Sequence, residues 1–120
     1  MTVKRVVPNV FDSDPVRTRR FYTDLFDFEV AMDMGWIATL VAPGQNAAQI
    51  SVFEPDGEEG RDPFISIEVT DVDAVHARAV ELDYDVTYPL RDEDWGVRRF
   101  MLTDPGGRTV NVLSHLKQEE

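Results

Sequence analysis

Leu25–Asp33 reads LFDFEVAMD, and Glu81–Pro89 reads ELDYDVTYP. Set one above the other, Asp27 falls on Asp83, Phe28 on Tyr84, Glu29 on Asp85 and Val30 on Val86. Each copy leaves a helical pattern and passes an Asp that tolerates the left-handed backbone of a helix end. Each then enters an alternating strand. The match predicts an internal repeat, and the flanking sequence agrees.

Before the first copy, Val3–Phe11 alternates as a strand. Asp14 is a good N-cap and Pro15 a good first helical residue, so a helix runs to about Phe26. Its apolar stripe is Thr18, Phe21, Tyr22, Leu25 and Phe26, with Arg17, Arg19, Arg20 and Asp24 outside it. After the copy come strands at Phe28–Met32, Trp36–Val41 and Ala48–Phe53, with a turn at Pro43–Asn46. The second copy has a strand at Phe64–Val69 and a helix capped by Thr70-Asp71, buried through Val72, Val75, Ala79 and Leu82. A strand at Tyr84–Tyr88 and a charged loop at Pro89–Asp94 follow. The chain closes on a hairpin, WGVRRFMLTDPGGRTVNVL from Trp95 to Leu113, around the turn residues Asp104-Pro105-Gly106-Gly107.

The fold class is therefore α+β, with two βαβββ modules: 1–54 and 64–115, a linker at 55–63 and a short charged tail at 116–120. The linker reads EPDGEEGRDP from Glu54 on, rich in Pro, Gly and charge. Neither module can bury a full core alone. Pairing them, within one chain or between two, buries the remainder and encloses a concave space between sheets.

Composition narrows the partners. A chain of 120 residues with net charge −11 and pI near 4.5 is one acidic domain. It lacks the basic face that nucleic acid or an anionic membrane requires, and it attracts cations at long range. There is no cysteine, which removes disulfides, thiol catalysis and zinc-thiolate sites. No leader-like or membrane-spanning apolar stretch is present, so the expected location is the cytoplasm. No Ser-His-Asp spacing, Gly-rich phosphate loop or pair of inward carboxylates stands out.

The paired modules, FYTDL ending the first helix, VTDVDAV opening the second and WG…DPGG in the last hairpin together resemble the vicinal oxygen chelate superfamily. This group includes glyoxalases, extradiol dioxygenases and bleomycin-resistance proteins. The resemblance covers nearly the whole chain. It implies a glyoxalase/bleomycin-resistance fold, paired in a homodimer. In most of the family's enzymes it also implies a divalent metal held by inward His and Glu. The corresponding positions here are Val7, Phe64, Asn111 and Gln49 or Ser51, none of them His or carboxylate. A shift of one residue brings in Pro8, Ile65 or Val110 instead. The two histidines do not supply a site: His76 reads as an exposed helical residue, and His115 follows the last strand. The expectation is no metal and no other cofactor.

The inward strand faces that the resemblance implies carry Asn9, Phe11, Trp36, Ser51, Phe53, Phe64, Ser66, Glu68, Trp95 and Asn111. Rings stack on a flat ligand, and amides and hydroxyls orient it. Glu68 can act as a base, meet a cationic ligand or, the favoured reading, pair with Arg98 or Arg99. Glu54–Asp62 and Arg91–Asp94 read as solvated loops. The expected function is closest to the metal-free bleomycin-resistance type: a binding protein for an aromatic or cationic small molecule, possibly an antibiotic, with no catalytic residues. The alternatives are a glyoxalase-like lyase or isomerase with an unrecognised metal site, and a protein-interaction module.

Overall fold

The structure, a computed structural model, describes residues 1–55 and 62–116. Most of the expected linker and the last four tail residues lie outside the described residues. The elements run β1 (Val3–Phe11), α1 (Pro15–Phe26), β2 (Glu29–Asp33), β3 (Ile37–Ala42), β4 (Gln45–Phe53), β5 (Ile65–Val69), α2 (Val72–Glu81), β6 (Val86–Asp92), β7 (Val97–Thr103) and β8 (Thr109–His115). This is βαβββ twice, as the repeat predicts. Two compact units divide the chain. The first runs from Val7 to the linker. The second joins Met1–Val6 to the chain beyond the linker, so the boundary falls inside β1.

In the first unit β2, β3 and β4 form an antiparallel meander, and β1 lies parallel to β4. The ladder with β4 runs through Asn9, Val10 and Phe11, just past Pro8, which has no amide to donate. The turn before β4 is tighter than expected: Pro43-Gly44 suffices, because Gly44 takes a φ of 70°, and β4 starts at Gln45. Alternation separates Ala38, Leu40 and Val52 from Thr39, Ser51 and Phe53. The first set is buried, Leu40 and Val52 completely, on the face where α1 packs against β3 and β4.

The expected stripe of α1 is corrected. No α1 residue is fully buried, and Phe21, Leu25 and Phe26 are more than half exposed. The half-buried positions are Pro15, Thr18, Arg19, Tyr22 and Thr23, one step round the helix. Polar anchors set this rotation. Arg19 reaches Asp33 of β2 at 2.7 Å, and Thr18 and Arg17 both donate to Asp12. The Arg17 and Thr18 bonds hold the Asp12 carboxyl far below its ordinary range.

In the second unit β5 runs parallel to β8, and β8, β7 and β6 are antiparallel neighbours. The core is Val69, Val72, Ala79, Phe100 and Val112, ringed by Ile67, Val75, Val86, Leu90, Leu102 and Val110. α2 covers this face. His76 is not an exposed residue as expected: it is half-buried with its ring edge-on to Phe100, centroids 5.0 Å apart. Leu82, expected in the stripe, is exposed, because α2 has already ended there. Asp83 takes a φ of 64°, its N–H donates to Val80 O, and the Tyr84 N–H donates to Ala79 O, a double closure of the last turn. Asp27 closes α1 in the same left-handed conformation.

The other end of α2 is held by Asp71, whose Oδ1 accepts from Ala74 N–H at 3.1 Å. Asp71→Ala leaves that amide uncapped and lowers stability by about 1 kcal/mol; urea unfolding of the two proteins measures it.

Residues 89–94 are not simply a loop. β6 continues through Pro89 to Asp92, with register shifts on either side of Tyr88. Proline is tolerated because β6 pairs with β7 alone among the described residues, and the shifts spare it a donor role. The β7–β8 turn forms as the sequence predicts. Asp104 accepts from the Gly106 and Arg108 amides, both at 2.9 Å, and Gly107 takes a φ of 84°.

Among the described residues no helix is long and apolar enough to cross a membrane.

Candidate functional site

The first unit gathers five of the candidate residues. Asn9 opposes Ser51 and Phe11 opposes Phe53 across the parallel β1–β4 ladder, so all four side chains share the face away from α1. Both polar members are buried. The Phe11 and Phe53 rings are stacked, with centroids at 5.0 Å and planes 22° apart. Trp36, 42% exposed, tilts against Phe53 at 6.0 Å. The result is a shelf of three rings ending in a buried amide and hydroxyl.

The second unit carries the other five, and it does not bring them all together. Ser66 opposes Asn111, and Asn111 Nδ2 donates to Ser66 Oγ at 3.1 Å. Asn111 Oδ1 is buried and accepts no hydrogen bond among the described residues. Glu68 lies two residues along the same strand face. Phe64 stands apart at the start of β5 under the Arg108 guanidinium, 5.6 Å from the ring centroid. Trp95, in the β6–β7 turn, lies against Arg99 at 5.0 Å.

Glu68 does form ion pairs, but not with Arg98 or Arg99. Its partners are Arg5 at 2.8 Å, Lys4 at 3.9 Å and His115, whose Nδ1 is 2.6 Å from Oε2. Arg98 lies on the α2 side of β7 and binds Asp73 and Asp92, while Arg99 binds Glu93. Burial raises the Glu68 carboxyl pKa, but the His115 hydrogen bond and the Arg5, His115 and Lys4 charges together hold it below its ordinary value. His115 does not follow the last strand, as expected, but is the last inward residue of β8. The signal was in the alternation Asn111, Leu113, His115.

Sequence reasoning also missed Glu93. Expected in a solvated loop, it is buried, with its side chain 3% exposed. Tyr88 Oη donates to it at 3.0 Å, Arg91 Nε at 2.6 Å and Arg99 Nη2 at 2.9 Å. Both guanidiniums also lie over the Tyr88 ring, at 4.9 and 4.8 Å. Burial raises the Glu93 pKa, and the Arg91 and Tyr88 hydrogen bonds with the two arginine charges bring it below the ordinary range. The β6 register shifts assemble this cluster, and no sequence motif marks it.

The positions tied by resemblance to metal ligands hold a buried Val7, a half-exposed Phe64, an Asn111 engaged with Ser66, and Gln49 or a buried Ser51. Two are hydrocarbon and the rest neutral. None carries an imidazole or a carboxylate, the side chains that transition-metal sites favour. Among the described residues no three His, Asp or Glu side chains cluster as a metal site.

Residues 3–112 match the Glyoxalase/Bleomycin resistance protein/Dioxygenase superfamily. The chain belongs to that superfamily. No curated protein matches it. It is similar in fold to a superfamily member from Vibrio splendidus, at 20% identity, covering 94% of this chain and 99% of that one, with a TM-score of 0.73. Methylmalonyl-CoA epimerase from Mycobacterium tuberculosis aligns at 21% identity over 96% and 88%, with a TM-score of 0.67. The Mn(II)-bound glyoxalase from Novosphingobium aromaticivorans aligns at 19% identity over 98% of this chain and 41% of that one, with a TM-score of 0.63.

Proposed function

We propose that this chain is a metal-independent member of the superfamily that binds a planar aromatic small molecule, cationic ligands being favoured. The observation that carries the reading is the ring shelf of Phe11, Phe53 and Trp36 beside Asn9 and Ser51. Its rings give a flat ligand a stacking surface, and its amide and hydroxyl give it orientation. The net charge of −11 raises the local concentration of a cation, and the ring faces attract one directly. That Val7, Phe64, Asn111 and Ser51 carry neither imidazole nor carboxylate supports binding without a metal. The Mn(II)-bound relative makes the contrast testable.

With Trp95→Phe, Trp36 is the only tryptophan left of two. Titration with the planar cation ethidium, with EDTA present, is expected to quench it. Phe53→Ala weakens binding at least tenfold, a loss of about 1.4 kcal/mol for a removed stacking partner. Absence of quenching, or quenching that needs added Mn²⁺ or Zn²⁺, overturns the reading.

The reading includes a homodimer, which gives the exposed Phe21, Leu25 and Phe26 of α1 a covered place. Sedimentation that finds only monomer at micromolar concentration counts against that part.

A further inference from the structure

We propose that the Glu68–His115 pair is a proton-accepting site for a planar ligand with an acidic hydroxyl, a phenol or enol, seated beside Trp95. It stands on residues of the second unit and does not depend on the ring shelf of the first.

An ionised carboxylate only accepts hydrogen bonds, so His115 Nδ1 carries the proton shared with Glu68 Oε2 across 2.6 Å. In the neutral imidazole, that tautomer leaves Nε2 as a lone pair. The two groups are unequally exposed: Glu68 is 7% exposed, while the His115 side chain is 54% exposed. The anion is hidden and the base presented. Arg5 and Lys4 help hold Glu68 ionised, so a negative partner waits for the imidazolium that forms when Nε2 takes a proton. A lone surface histidine has no such support.

A stacking surface lies at the same end of the sheet. His115 pairs with Val97, and the Leu116 N–H donates to Gly96 O at 2.9 Å, so the Trp95-Gly96 turn is fastened to the end of β8. Two residues on, Arg99 shares the Val97 face and holds the Trp95 ring against it. Trp95 remains 45% exposed. Further along that face, Asn111 Oδ1 is an available buried acceptor.

The step is a proton transfer and needs no other reactant. The ligand O–H bond breaks, its electron pair stays on oxygen, and the proton moves to His115 Nε2. The oxyanion then faces an imidazolium whose Nδ1–H is held by Glu68. Return of the proton restores both partners.

The probe is p-nitrophenol, whose anion is coloured, titrated into full-length Trp36→Phe protein at a pH just below the phenol's own pKa. Quenching of Trp95 reports binding and absorbance reports ionisation. The expected result is quenching together with a phenolate-to-phenol ratio for the bound probe at least tenfold above that of the free probe. His115→Gln keeps the quenching and loses the excess phenolate. Glu68→Gln, with circular dichroism confirming its fold, loses most of it. p-Nitroanisole, the same ring without the hydroxyl, binds more weakly to the starting protein and equally to His115→Gln. A phenolate fraction equal to that of free probe, one unchanged in His115→Gln, or no quenching of Trp95 overturns the proposal. Failure of the ring shelf would show at Trp36 instead, so the two outcomes are separable.

Discussion

Phe100→Ala is expected to destabilise the second unit by about 4 kcal/mol. Phe100 is completely buried between β7 and α2, among Val69, Val72, Ala79 and Val112. Truncation forfeits the transfer free energy of the ring. It also leaves a cavity that small β-branched neighbours cannot fill, since their χ1 angles are stiff. His76 loses the ring that its edge rests on. Urea unfolding followed at Trp95 in a Trp36→Phe background measures the effect where it arises. A loss below about 1 kcal/mol would mean that this side of the unit is not a packed core.

Glu93→Ala is the second large effect, about 3 kcal/mol. The carboxylate is almost wholly buried, and Arg99, its side chain only 16% exposed, depends on it. Removing the acid leaves a largely buried guanidinium and the Tyr88 hydroxyl without their partner. Arg91 is half-exposed and rehydrates, which keeps the loss at the lower end of what breaking a buried pair costs. The double variant Glu93→Ala/Arg99→Met is expected to recover part of it, since no unpaired charge then stays inside. A double variant less stable than Glu93→Ala would contradict this account.

The sign of the pH dependence follows from the same cluster. The folded-state pKa of Glu93 lies below its ordinary value of 4.5. Its stabilising contribution is therefore complete above that value and is lost as pH falls through the lower, folded pKa. Acidification through this window should cost the wild type more stability than Glu93→Gln. Glu68 has the same sign, for the same reason.

Much of the fold was legible because its signals are local. The caps Asp14 and Asp71, the left-handed Asp27 and Asp83, and the Asp104–Gly107 turn depend on bonds spanning a few residues. Strand alternation placed Asn9 with Phe11, and Ser66 with Glu68, on a shared strand face. The orientation of α1 was not legible. Its most apolar stripe is rotated towards solvent because Arg19–Asp33 and Thr18–Asp12 anchor a neighbouring stripe. The same limit applied to Glu68, whose partners Arg5 and His115 lie far off in the chain.

The sequence by itself determined the βαβββ repeat, the helix ends, the tight turns and the absence of imidazole or carboxylate at Val7, Phe64 and Asn111. These depend on residue identity and near neighbours. Only the tertiary structure decided which charges meet: Glu68 with His115 and Arg5, and Glu93 with Tyr88, Arg91 and Arg99. Those meetings depend on strand register and on the shifts in β6, which bring distant residues within hydrogen-bonding reach.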